Sequence, residues 1–182
     1  MKEYLISTPR LGIRNWIEED LQPMSAINAD PEVMRYFPKI FTEKDTAKHI
    51  ARMQQQYKDN GYCYFAVDRL DTNEFIGFIG LCKQEFDLGW GTYIDIGWRL
   101  KQSAWYQGFA TEGAKACLEY GFKIRQLERI EAIAPVVNTP SIHVMKKIGM
   151  SLVQHFEHPK LVDAPHLNPC ARYAIEELSL YQ

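Results

Sequence analysis

Residues 93–123 constrain this chain more than any other stretch. They run Tyr93-Ile-Asp-Ile-Gly-Trp-Arg-Leu100, a short connector, Trp105-Tyr-Gln-Gly-Phe-Ala110, and then apolar residues at helical period from Thr111 to Lys123. That order predicts a strand, a glycine-containing turn and a helix in direct succession. The first backbone N–H groups of a helix have no partner inside it, and the aligned peptide dipoles make that end positive. Gly108 and the small Ala110 let a ligand come close to this end. The unit is a candidate phosphate cradle.

The rest of the chain supplies a sheet for this unit. Leu11-Gly-Ile-Arg14 reads as a first strand, followed by a helix near Leu21–Ala29 that Asp30-Pro31 interrupts. Thr42 is a helix cap for Glu43 to Tyr57, and Asn60-Gly61 a stop. Tyr62–Asp68 and Glu74–Leu81 are rich in strand-forming residues and join through Asp71-Thr-Asn73, which predicts an antiparallel hairpin. Phe86–Thr92 is a connection. Ala114, Cys117, Leu118, Gly121 and Phe122 form the apolar stripe of the helix after the cradle. Arg129–Val137, Ser151–Glu157 and Cys170–Leu178 are further strands. Between the first two of these lies a short helix, with Thr139 as cap, Pro140 as first residue and Gly149 as stop. The expectation is a single mixed α/β domain over residues 1–182.

Composition removes several function classes. With 182 residues, 46% apolar and 24% charged, the chain has a core of ordinary globular size. The net charge is −2 and no basic block is present, which argues against nucleic acid as a partner. No segment approaches the length of a membrane span. The four cysteines, Cys63, Cys82, Cys117 and Cys170, form no C-x-x-C pair. Three of them fall in apolar periodic segments, as reduced buried thiols do, so a cytoplasmic location is expected.

Three segments, in order, resemble the GNAT superfamily of N-acetyltransferases, in particular its RimJ/RimL-type branch. They are Thr8-Pro-Arg-Leu-Gly-Ile-Arg14 with Glu18-Glu-Asp20 and Asp30-Pro-Glu-Val33; Ile96-Gly-Trp-Arg-Leu100 with Trp105-Tyr-Gln-Gly-Phe-Ala-Thr-Glu112; and Asn138-Thr-Pro-Ser141 with Lys147-Ile-Gly-Met150. The resemblance covers roughly residues 8–178. It implies a mostly antiparallel central sheet flanked by helices, with two parallel central strands, 93–100 and 129–137, splaying apart. It implies acetyl-CoA as co-substrate, no metal, and an amine acceptor that is either a peptide N-terminus or a small molecule. A homodimer is compatible with it. The family's signature Gln/Arg-x-x-Gly-x-Gly/Ala falls on Trp105, Gly108 and Ala110, and Tyr106 stands where the branch usually has Gly.

The resemblance implies that Ile96, Gly97, Trp98, Tyr106, Gln107, Gly108, Phe109, Ala110, Thr111, Asn138 and Ser141 contact the cofactor. Near Ile96 or Gly97 a backbone N–H would face the thioester oxygen. Acetyl transfer needs a neutral amine. An α-amine, with a pKa near ~8, is roughly a tenth neutral at pH 7, whereas a lysine-like amine near ~10.4 is under ~0.1% neutral. A peptide N-terminus therefore asks less of a general base than an ε-amine does. Asp95 is the candidate base, acting through water, against the alternative of a solvated strand residue; Glu85 is a second candidate. The family's acidic Tyr on the last helix falls on Met145, so Ser141 is the candidate proton donor, against a helix-start role.

Other signals point elsewhere. Gly108-Phe-Ala-Thr-Glu-Gly113 with Glu131 fits a loose dinucleotide fingerprint, but Lys101–Gln107 separate the strand from the first glycine. His155, His158, Asp163 and His166 cluster without any known metal spacing. Lys146 and Lys147 are candidates for a cofactor phosphate. Trp16, Trp90 and Trp98 are candidates for core or pocket wall, and Phe86–Thr92 for an acceptor pocket. A module that binds acyl-CoA without turnover is the alternative to the enzyme.

Overall fold

A computed structural model describes residues 2–177. The elements follow in the order β1 (Ile6–Ser7), β2 (Leu11–Arg14), α1 (Leu21–Ala29), α2 (Pro31–Met34), α3 (Glu43–Asn60), β3 (Tyr64–Arg69), β4 (Phe75–Gln84), β5 (Tyr93–Leu100), α4 (Phe109–Glu119), β6 (Arg129–Pro135), α5 (Thr139–Lys147), β7 (Ser151–Phe156) and β8 (Cys170–Glu176). The expected last strand reached Leu178, which lies outside the described residues. The expected helix from Thr111 begins two residues earlier and leaves α-geometry after Glu119, where a wide turn carries the Arg125 N–H to the Tyr120 carbonyl at 3.1 Å.

Among the described residues the strands form one sheet in the order β1-β2-β3-β4-β5-β6-β8-β7. Every neighbouring pair is antiparallel except β5 and β6. These two run parallel and meet at a single register pair, Asp95 with Glu131. On its other side β5 is paired with β4 from Tyr93 to Leu100. Beyond Asp95, therefore, one edge of β5 has no strand partner. This is the splay that the resemblance implied, and it leaves backbone groups that only a ligand or water can satisfy. A sheet so largely antiparallel is not a doubly wound dinucleotide fold.

Helix α4 covers one face of the sheet. It and the wide turn after it come close because Gly113 in the helix and Gly121 in the turn have no side chain: a Cβ would stand 2.4 Å from Ile79 Cδ1 at the first and 2.7 Å from Leu81 Cδ1 at the second. Helices α1 and α3 cover the opposite face, with Met24, Ile27, Ile50 and Met53 buried in the common core. The start of the chain is tied into the fold by charge pairing. Arg14 is buried and donates to Asp20 at 2.7 and 2.8 Å and to Asp68 at 2.7 and 3.1 Å. It ties β2, the turn before α1, and β3 together.

Two local expectations are corrected or refined. Asn138, rather than Thr139, caps α5: its side-chain oxygen accepts the Ser141 N–H at 3.2 Å. Pro140 then occupies the second helical position, where its missing N–H costs nothing. Tyr106 has a left-handed backbone, with φ +59°, at the position where the family branch carries glycine. A tyrosine there gives up about 1–2 kcal/mol. Its side chain is 91% exposed, so packing returns little. Tyr106→Gly is expected to raise stability by about 1 kcal/mol, a rise in Tm of about 2–4 °C by calorimetry. An unchanged or lower Tm would show that the tyrosine ring holds the turn.

Candidate active site

The unit first read from sequence forms one wall of a cavity of about 570 Å³, within the range of small-molecule sites. Gly108 caps α4 with φ +82° and no side-chain hydrogen bond. The N–H groups of the first helical turn are consequently uncapped, unlike those of α3 and α5, which Thr42 and Asn138 satisfy. They open on the cavity beside Gly108, Phe109, Ala110 and Thr111. A phosphate-bearing ligand fits this end on charge and on donor geometry.

The chain's first segment braces the cradle. Arg10 donates from Nε to Glu112 at 2.6 Å and from Nη1 to the Gln107 carbonyl at 2.9 Å. Its guanidinium also lies 4.5 Å from the centre of the Phe109 ring. Thr8 Oγ1 donates to the other oxygen of Glu112 at 2.6 Å. Burial pushes the Glu112 carboxyl up, but Thr8 and Arg10 outweigh it and the net direction is down. Thr8 and Arg10 on one side and Glu112 on the other thus hold each other.

The cavity has a second wall. Of the residues named above as cofactor contacts, Trp98, Tyr106, Gly108, Phe109, Ala110, Thr111, Asn138 and Ser141 line the cavity, and so does Lys147. Ile96, Gly97, Gln107, Asp95 and Lys146 do not. Gln107 instead gives its side-chain N–H to the Ser103 carbonyl at 2.7 Å. Sequence reasoning missed Arg99, Trp105, His143 and the segment around α2 that includes Val33, Tyr36 and Phe37. Nor does Phe86–Thr92 border the cavity; Phe86 stacks on His158 and Trp90 lies over Arg172. His158 accepts the Lys160 N–H at 3.1 Å, a loop role. Among the described residues no group of three His, Cys, Asp or Glu side chains could hold a metal ion.

Asp95 stands at the apex of the splay, three residues or about 10 Å along β5 from Trp98. Burial pushes its carboxyl up to about 7, against the hydrogen bonds from the Tyr64 hydroxyl and the Ile133 N–H, which favour the charged form. The Tyr64 hydroxyl donates to Asp95 and accepts from Gln84 Nε2 at 3.2 Å. Glu131, its register partner, is committed elsewhere: Arg172 donates to it at 2.7 and 2.5 Å and Arg129 at 2.9 Å. Asp95 thus makes no salt bridge among the described residues; Arg52 favours its charged form, but burial outweighs it. Ser141 Oγ has no hydrogen-bond partner among the described residues; only its N–H is used, by Asn138. Met145, where the family places a tyrosine, is 2% exposed and belongs to the core.

The acetyltransferase (GNAT) domain model matches residues 10–151. The chain belongs to the GNAT acetyltransferases. YnaD of Bacillus subtilis, described as an uncharacterized N-acetyltransferase, is 38% identical over 146 residues, 80% of this chain and 81% of YnaD. A GNAT-family acetyltransferase structure from Bacillus anthracis superposes with TM-score 0.77 at 32% identity, covering 95% of this chain and 98% of that one. The spermidine N-acetyltransferase of Vibrio cholerae, solved with CoA and spermine, shares the fold at TM-score 0.74 and 18% identity, over 96% of this chain and 100% of its own. As a GNAT enzyme the chain is an acetyl-CoA-dependent acetyltransferase. The uncapped α4 terminus and the unpaired edge of β5 are the features that fit this co-substrate.

Proposed function

We propose that this GNAT enzyme moves the acetyl group directly to a primary amine, on a peptide N-terminus or a small molecule, in a ternary complex. One observation carries the reading: a single cavity joins the uncapped end of α4 to the open side of the splay whose apex holds Asp95. Acetyl-CoA, when bound, supplies the thioester. The residues around Gly108–Thr111 and Asn138 hold its phosphates and arm. Asp95 takes the proton of the incoming ammonium through water, because it lies behind the cavity wall. Ser141, at the start of α5 and on the wall, holds a proton for the departing thiolate.

A covalent acyl carrier has no support here. All four cysteines are buried, and burial pushes their thiols up, which suppresses the thiolate. Free buried thiols also suit the cytoplasm that we assign to the protein. Among the described residues no helix is long and apolar enough to cross a membrane. Assignment to the RimJ/RimL-type branch rests on the three sequence segments, and the acceptor of a spermidine enzyme 18% identical does not carry over.

Thiol release from acetyl-CoA over a panel of peptides and small amines tests the reading. Turnover on at least one amine is expected. Tight coenzyme A binding with no turnover on any of them would point to a binding module instead. In the same assay Ser141→Ala is expected to lower kcat by about tenfold or more with coenzyme A affinity unchanged. An unchanged kcat would return Ser141 to a purely local role.

A further inference from the structure

Five Arg, Asp or Glu residues are at most 7% exposed among the described residues: Arg14, Asp20, Asp68, Arg99 and Glu131. Four of them sit in guanidinium–carboxylate pairs. Arg99 does not. At 7% exposure it donates from Nη1 to the neutral Asn28 Oδ1 at 2.6 Å, and Asn28 passes only to Thr46. Its Nε is sealed from water without a partner. Three rings enclose it, with Phe37 at 4.1 Å, Phe41 at 5.3 Å and Phe78 at 5.4 Å. Facing aromatic rings offset only part of what it costs to bury an unpaired cation.

The one side of Arg99 left open is the cavity, which it lines together with Val33, Tyr36 and Phe37. With acetyl-CoA on the α4 cradle, this wall is the part of the cavity left for the acceptor. The other charges on that wall, Glu32 and Arg35, pair with each other at 3.2 Å. The neighbouring His49 is held neutral by burial and by Arg99 itself, which push it down to about 3. The acceptor wall therefore carries one uncompensated positive charge. With Nη1 engaged by Asn28 and Nε sealed, Nη2 is the donor left to a ligand in the cavity, and a carboxylate is the acceptor that matches its charge.

We propose that the acceptor is an aminocarboxylate, an amine whose own carboxylate seats on Arg99. The inference rests on the amine-acetylation reading above and names its substrate class. A polycation gains nothing from this wall and meets a like charge. Asp95 and Arg99 lie on the same face of β5, four residues or about 13 Å apart along the strand, with Gly97 between them. The amine and the carboxylate are therefore presented to opposite ends of one strand face.

The test compares matched acids and carboxamides on the wild-type enzyme: α-amino acids and ω-amino acids of increasing length, each beside its amide, with spermidine as the cationic control. At least one acid is expected to exceed its amide at least tenfold in kcat/KM, chiefly through KM. Arg99→Gln should abolish that preference, bringing kcat/KM on the acid down to that on its amide while coenzyme A affinity stays within about twofold, and Arg99→Lys should restore part of it. Turnover with amides or spermidine equal to or better than with every acid would overturn the proposal and leave the acetyltransferase intact. No turnover on any amine would sink the enzyme reading itself, and the proposal with it. Should Arg99→Gln fail to fold, the wild-type comparison alone still decides.

Discussion

Gly108→Val is expected to bind coenzyme A at least tenfold more weakly than the wild type by isothermal titration calorimetry, with the far-UV circular dichroism unchanged. Space is not the obstacle, because a Cβ at this position would meet only Arg10 Nη2, at 3.4 Å. The obstacle is the backbone. Gly108 has φ +82°, and a β-branched residue is a genuine outlier there. The turn must relax toward negative φ, and with it the N–H groups of the first turn of α4 lose their aim at the ligand. About 1–2 kcal/mol of backbone strain matches a tenfold change if binding alone absorbs it. Gly108→Asn provides the control, since asparagine visits the left-handed region readily; it should keep affinity within about threefold. Wild-type affinity in the valine protein would show that phosphate does not bind at this turn.

What the sequence made legible was local. Strand, turn and helix at 93–123 were readable because period and glycine act over a few residues. The same holds for the hairpin at Asp71-Thr-Asn73, and for the Thr42 cap with its partner Asp45 three residues on. Asn138 and Thr139 were interchangeable as caps by type; only the position of Pro140 in the folded helix separated them. The splay came from family resemblance, since which strands part company is decided by neighbours far along the chain.

Long-range pairing was hidden for the same reason. Arg14 and Asp68 are separated by 54 residues, and Thr8 and Glu112 by 104, so their motifs looked like signatures of chemistry when they are braces. The acceptor wall around Phe37 was missed because a short helical turn near residue 31 gives no hint of the strand end it will face. Phe86–Thr92 took its place in the sequence reading through proximity in the chain to β5, yet it packs toward His158 and Arg172. That Arg99 lacks a counter-charge is a statement about everything around it, which no pattern of neighbouring residues contains.

Asp95→Asn is expected to lower kcat by about 10²–10⁴ while coenzyme A affinity stays within about twofold. Asparagine keeps the shape and can still accept from Tyr64 and Ile133, but it cannot take a proton. The pH profile separates this role from a structural one. With its carboxyl pushed up to about 7 by burial, the wild-type enzyme should gain kcat/KM as pH rises through about 7 and then level off, and the variant should lose that limb. Stability moves the opposite way. Asp95 binds its proton more tightly folded, near 7, than unfolded, near 3.8. Its contribution is therefore complete below about pH 4 and lost as pH rises through about 7. The wild type should lose Tm between pH 5 and pH 8 more steeply than the always-neutral variant, which at pH 8 should melt no lower. A slow enzyme that is at least as stable marks Asp95 as a group held in the wrong ionisation range for the fold and the right one for proton transfer. Unchanged turnover in Asp95→Asn removes Asp95 from the reaction, whatever its Tm.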